Sequence, residues 1–516
     1  MSSKRWRGFA ALVLAAPATV AVTGTTAQAA DTCAGVNVAL GANIQSVVNA
    51  NPAGTTYCLA AGVYQLTAPL QLKTGDTLWG AGPSPTSGTM LSGAIVPTAW
   101  TASGTNWYAS GVLPAAYTDP NGQCENNVAN LCRKSEDVFR NSTQLVRVGS
   151  LAELGPGKFF PDYAANRVYV RDNPTTATMR VSRTRTALPA GTATDVTVRG
   201  LGVRHFASLS QNGAVEIGTR WKVFSVDVSY NHALGWKMIG NDASFTASRT
   251  SYNGQLGGGI YRADRFTVAN VEIDHNNHQG LYWVADWESG GIKITTGATG
   301  VIDAAFTHDN LGIGLWADGA AGDPAIPNSL EFRNSTITNN SADGVRFEIS
   351  SNGKISGNTV TGNGCDLLGR RGVTEGGLYD GAGIDVNSSV NVEVSNNTVA
   401  GNHNAIGGQE RQGRELHLQH LRVVDNTITS TRCANGFGLG LTGVVSNQKA
   451  DRPEYWGHAF DAVGDNRFIA NDYKIPAADG GLEAKRYAWN GSYMHKWSTW
   501  IGVDGQDAGG TAVVIP

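Results

Sequence analysis

One recurring phrase restricts the fold of this chain more than any other feature. Between Asn276 and Asn387 an Asn, then a Gly, then an alternating apolar/polar run come back four times. The copies read Gly291-Ile292-Lys293-Ile294-Thr295, Gly314-Leu315-Trp316-Ala317-Asp318, Gly344-Val345-Arg346-Phe347-Glu348 and Gly383-Ile384-Asp385-Val386-Asn387. Alternation with period two predicts strands that bury one side chain and expose the next. Asn231, Asn253, Asn276, Asn310, Asn340, Asn363 and Asn402 mark successive coils, with gaps of 22 and 23 residues that lengthen where loops are inserted. A repeat this short cannot bury its apolar face alone and must stack on its neighbours, which predicts an all-β solenoid. No helical pattern separates the strands, so a doubly wound α/β fold is excluded.

Charge is nearly balanced, −3 over 516 residues. Nucleic acid and anionic membrane surfaces are therefore excluded as partners, since both need clustered positive charge. The 65 glycines and abundant Asn predict many tight turns, because both residues tolerate positive φ. Residues 1–29 read as a signal peptide: Lys4, Arg5 and Arg7, then an apolar stretch from Phe9 to Val22, then Ala27-Gln28-Ala29. No run reaches the ~18 apolar residues of a membrane span, so the expectation is a secreted, soluble monomer. Six cysteines suit an oxidising compartment. The simplest pairing is Cys33–Cys58, Cys124–Cys132 and Cys365–Cys433, and none has zinc-ligand spacing.

In chain order, residues 30–97 form an N-terminal cap and first coils, opened by an amphipathic helix at Asn43 to Ala50. Residues 98–182 lose the repeat and predict a small inserted antiparallel β-module. The solenoid with the candidate active-site face occupies 183–447, and 448–516 supply the last coils and a C-terminal cap. Ile44-Gln45, Leu59-Ala60-Ala61-Gly62-Val63-Tyr64 and Gly75-Asp76-Thr77-Leu78 resemble the start of secreted right-handed parallel β-helix proteins of the pectate-lyase-like superfamily. That resemblance implies a right-handed parallel β-helix.

The outward positions carry the chemistry. Stacked copies predict one row of Lys293, Trp316, Arg346 and Asp385 beside a second of Thr295, Asp318, Glu348 and Asn387. Paired strands lie about 4.8 Å apart, which sets Asp318 and Glu348 about 5 Å apart and Glu348 and Asp385 about 7–9 Å apart. The first spacing suits a retaining glycosidase and the second an inverting one, and close like charges raise one pKa as a general acid requires. Asp318, Glu348 and Asp385 are the candidate catalytic residues; pairing with Lys293 and Arg346 or hydrogen bonding to loops is the plainer role. Trp283, Asp286, Trp287 and Glu288 form a candidate substrate wall on the first of three insertions, the others being Gly319 to Asn328 and Cys365 to Gly381. Lys293, His308, Asp309, Trp316 and Arg346 complete the substrate-binding set, with the two cations placed to hold a uronate carboxylate or to neutralise the acids.

Trp287-Glu288-Ser289-Gly290-Gly291-Ile292-Lys293, His308-Asp309-Asn310, Gly314 to Asp318 and Phe347-Glu348-Ile349-Ser350 also resemble a group of actinobacterial secreted β-helix proteins. That likeness implies carbohydrate degradation. The leading expectation is an extracellular glycoside hydrolase acting on a poly- or oligosaccharide without a cofactor. The alternatives are a uronate-polysaccharide lyase or epimerase, with Ca²⁺ held by the acids, and a non-catalytic glycan-binding β-helix.

Overall fold

The alternating runs form strands, and each strand pairs in parallel with its counterpart on the next coil. The computed structural model describes residues 32–114, 117–125, 130–284, 288–321, 328–366, 381–411, 413–435, 438, 440–446, 458–489 and 492–516. Residues 1–29, read above as a signal peptide, lie outside the described residues. The fold belongs to the unit spanning 35–516. Three long sheets make the faces of the solenoid, two of 13 strands and one of 11. They pair in parallel except where Ser492–His495 turns back on Tyr487–Trp489. Their inward residues, among them Ile292, Ile294, Leu315, Val345, Phe347, Ile384 and Val386, merge into one continuous core.

Two internal ladders explain why Asn marks the coils. Asn231, Asn253, Asn276, Asn310, Asn340, Asn363 and Asn402 stack at one corner. From Asn253 onward each side-chain oxygen accepts the backbone N–H and the carboxamide N–H of the preceding Asn. All are buried, so each turn satisfies backbone groups that would otherwise be orphaned. A second ladder at another corner runs Asn358, Asn397, Asn426, Asn471 and ends on Asp507. The Gly of the phrase has a related cause. A Cβ on Gly314, Gly344 or Gly383 would come within 2.9, 2.8 or 2.7 Å of the Nδ2 of Asn340, Asn363 or Asn402.

A short helix lies toward each end of the stack. The helix Ile44–Ala50 covers the first coils, its first turn capped by Asn43 Oδ1 accepting from the Ser46 N–H at 3.0 Å. At the other end the helix Trp497–Gly502 places Trp500 in the core. Among the described residues no helix is long and apolar enough to cross a membrane.

Between the first coils and the main stack, strands from Ala94–Ile95 to Met179–Ser182 make a four-stranded and a five-stranded sheet. All their pairings are antiparallel except that of Val146–Arg147 with Lys158–Asp162. This insert has a core of its own around Val138, Phe159, Val168 and Val181. It is tied to the solenoid by buried polar contacts: His232 bonds Asp137 Oδ2 through Nδ1 and the Cys132 carbonyl through Nε2, both at 3.2 Å. The Tyr282 hydroxyl donates to the same carbonyl at 2.9 Å. Disulfides join Cys124 to Cys132 and Cys365 to Cys433. Cys33 and Cys58 are also disulfide-bonded.

Candidate active site

The 11-stranded sheet carries the four copies in the expected register. Lys293 pairs with Trp316, Trp316 with Arg346 and Arg346 with Asp385, while Thr295, Asp318, Glu348 and Asn387 form the adjacent row. Both outward rows therefore exist as read, but their side chains are held in distinct ways.

Lys293 sits at the junction of two acids. Its Nζ lies 2.7 Å from Glu288 Oε1 and 2.7 Å from Asp318 Oδ2. It also stands 4.1 Å from the centre of the Trp316 ring. Glu288 thus belongs to the site, brought in by the first insertion; Asp286 and Trp287 lie outside the described residues. Trp283 is half-buried and packs with Val284, Ile313, Ala342 and Trp316. Its N–H donates to the Gln123 carbonyl at 3.1 Å, linking this wall to the insert.

Three expectations need correction. Trp316 does not offer an open substrate-binding surface: it is 4% exposed. The register places Lys293 and Arg346 on its two sides, 4.1 and 5.6 Å from the ring centre, so a pair of cation–π contacts occupies it. Arg346 is 1% exposed and cannot meet a substrate carboxylate in this conformation. Its Nε donates to Asp343 Oδ2 at 2.5 Å, and Asp343 Oδ1 accepts the Ala382 N–H at 2.8 Å. His308 and Asp309 lie on the neighbouring sheet, at the end of the strand Phe306–His308, because the Asn310 corner turns the chain before the site strand begins.

The three candidate acids differ in surroundings. Asp318 is the most open, with 27% of its side chain accessible. It borders a groove of about 340 Å³ lined also by Thr295, Thr296, Ile349, Arg414 and Glu415. Glu348 is buried, and Arg414 Nη2 lies 2.6 Å from its Oε1. Asp385 is fully buried. Gln409 Nε2 donates to its Oδ1 at 3.2 Å, whereas Oδ2 has no hydrogen-bond donor among the described residues and stands 4.0 Å from Arg346 Nε. Burial pushes the Asp385 carboxyl well above the usual carboxylate range, and the charge of Asp343 adds to this against Arg346 and Arg411.

Asp343, Gln409, Arg411 and Arg414 escape the sequence reading. Asp343 precedes the phrase's Gly, where the other copies have Gly290, Ile313 and Ala382; an acid at an otherwise apolar or small position is the available signal. Gln409 is the outward residue of the next coil, in register with Asn387. Arg411 and Arg414 come next, in a charge-dense stretch that bears no phrase of its own.

Residues 211–399 match the family model for a right handed beta helix region. Among solved structures, XylC with xylose superposes with a TM-score of 0.56 at 13% identity, covering 84% of this chain and 80% of that one. The A-module of the Azotobacter vinelandii mannuronan C-5 epimerase AlgE6 gives 0.47 at 13% identity, over 92% and 93%. The catalytic domain of a GH87 α-1,3-glucanase with nigerose gives 0.42 at 11% identity, over 93% and 67%. No curated protein matches in sequence. The family model and the likeness to XylC carry the fold, a right-handed parallel β-helix, and not a reaction.

Proposed function

We propose that this right-handed β-helix is a secreted glycoside hydrolase that cleaves a polysaccharide at the Asp318–Glu348–Asp385 face. The observation that carries the proposal is the unequal state of neighbouring acids. Asp385 is held toward its neutral form by burial and by Asp343, while Asp318 and Glu348 are ion-paired to Lys293 and Arg414. Titratable pairs whose environments pull their protonation states apart are the usual mark of an acid and a base.

Glu348 and Asp385 sit on adjacent strands two residues out of step, roughly 8 Å apart at the backbone. Carboxyl groups spaced as these backbones are would leave room for a water between acid and base. Asp385, fully buried in this conformation, would have to be uncovered by the arriving glycan before giving its proton to the glycosidic oxygen as the C–O bond breaks. Glu348 would take a proton from the water that attacks the anomeric carbon. Asp318, fixed by Lys293 at the groove wall, would hold sugar hydroxyls. Arg414 lines the groove and covers Glu348, so a bound glycan must displace it to reach the base. The xylose bound by XylC is in keeping with a saccharide here.

A second reading, action on a uronate polysaccharide, draws on the cations Lys293, Arg411 and Arg414 around the acids. The Ca²⁺ attached to that reading would have to compete with Lys293 for Asp318 and with Arg414 for Glu348.

A panel of plant, algal and bacterial glycans, read for new reducing ends and for ultraviolet-absorbing unsaturated products, tests both. Reducing ends without such absorbance, lost in Asp385→Asn and in Glu348→Gln, are expected. Near-wild-type turnover in both variants would refute the assignment, and an unsaturated product would transfer it to the lyase class.

A further inference from the structure

Away from the carboxylate face, the neighbouring sheet brings together a compact block of imidazoles and acids on two adjacent coils. Asp274 and His308 are register partners. The next residues along each strand, His275 and Asp309, take the same left-handed corner conformation, φ 53° and 52°. One ligating atom from each of His275, His308 and Asp309 lies within 4.8 Å of the others, and the same holds for Glu272, Asp274 and His308. We propose that His275, His308 and Asp309 bind a divalent transition-metal ion of the zinc type and thereby clamp the two coils.

The donor set suits such an ion. Imidazole nitrogen with carboxylate oxygen favours Zn²⁺, Cu²⁺ or Ni²⁺ over Ca²⁺ or Mg²⁺, which prefer oxygen alone. Counting Glu272, Asp274 and Asp309 against Arg249, with neutral imidazoles, the block carries −2, which a divalent cation balances. The side chains of His275 and Asp309 are 40% and 43% accessible, so an ion can enter from solvent.

Both imidazoles are also oriented from behind. Asp274 Oδ2 lies 2.8 Å from His275 Nδ1. Asp274 is fixed in turn by Arg249, whose Nε and Nη2 donate at 2.8 and 2.7 Å. Glu272 Oε1 lies 3.3 Å from His308 Nε2, while His308 Nδ1 faces Asp309 Oδ2 at 2.7 Å. A carboxylate behind each metal-ligating imidazole fixes its tautomer and raises its basicity. Aromatic rings hold the imidazole planes: Tyr252 stacks on His275 at 4.8 Å and Phe306 on His308 at 4.0 Å. Phe306 is 41% exposed, unusual for its type, and this contact accounts for its place.

The test is isothermal titration of the untagged, chelator-stripped full chain with Zn²⁺ at pH 7, alongside thermal unfolding with and without the ion. One Zn²⁺ per chain and a raised midpoint are expected. His275→Ala/His308→Ala should abolish both, and Asp309→Asn, at an exposed position that leaves packing intact, should weaken binding at least tenfold. Glu272→Gln should weaken it by about tenfold while keeping the stoichiometry, and His420→Ala should change nothing. Absence of binding, or binding that survives unchanged in the double variant or in Asp309→Asn, would overturn the proposal.

Discussion

Asn340 lies directly behind the strand that bears Trp316 and Asp318, and its replacement tests whether the Asn ladder holds the site sheet together. Its Oδ1 accepts from Asn310 N at 3.3 Å and Asn310 Nδ2 at 2.9 Å. Its Nδ2 donates to Thr307 O at 3.2 Å and Asn363 Oδ1 at 2.9 Å. At 1% exposure no bulk water replaces these bonds. Asn340→Ala strands two buried donors, each costing about 1–3 kcal/mol, so the loss should be about 4 kcal/mol. Asn340→Asp restores the acceptor but sets carboxylate oxygens against the Thr307 and Asn363 oxygens. Its folded pKa must then be raised, so stability should hold below the unfolded value of ~3.9 and fall as pH rises through the folded one. Urea unfolding at several pH values reads both effects, with exposed Asn37→Ala as the reference. If Asn340→Ala falls within about 0.5 kcal/mol of that reference, the ladder contributes register without stability and the reasoning fails.

The same linkage logic applies to Asp385. Its carboxyl is raised by burial and by Asp343, so its contribution to stability is lost as pH rises above the ordinary carboxylate range; Asp385→Asn should flatten that loss in urea midpoints while removing turnover. His205 behaves oppositely: burial, with Arg180 and Arg204 adding, lowers it to about 3. Stability should therefore fall as pH drops from about 6.5 towards 3, by at most about 5 kcal/mol, and His205→Phe should remove that acid sensitivity. The Cys365–Cys433 disulfide spans a sequence separation of 68 residues. Replacing both by Ser should cost about 4 kcal/mol by chain entropy, visible as a lower unfolding midpoint.

The repeat is legible because parallel stacking demands the same residue type at the same place in every coil. The seven coil-marking Asn residues, the inward apolar positions and the two outward rows all obey that demand. The partners of the outward residues do not. By spacing Arg346 belongs with Asp318 and Glu348, yet it binds Asp343, three residues before it and one short of the phrase. Glu348 is met by Arg414, 66 positions later in the numbering, from a stretch that obeys no repeat. Trp316 reads as exposed because its position alternates outward. Its burial comes from Val284 and Trp283, delivered by an insertion whose course periodicity does not determine. His308 and Asp309 read as part of the site because they precede a site strand by a few residues; a corner in the chain takes them to another face.

The two Asn ladders have a direction, and Asp507 brings one of them to a halt. An Asn takes donors from the coil before and offers its backbone N–H and one carboxamide N–H to the coil after, so the stack would accept further units without limit. Asp507 instead receives four donors, from Asn471 N and Nδ2, the Tyr473 hydroxyl and Trp500 Nε1, and as a carboxylate has none to pass on. It works as a chemical full stop. A designer who wished to lengthen this protein would have to restore Asn at 507 and move the acid to the new last coil. One who wished to shorten it could excise residues 231–252, a whole unit, and let Asn253 succeed to the place of Asn231. Left as it is, the ladder ending on Asp507 hands no side-chain N–H to a further coil.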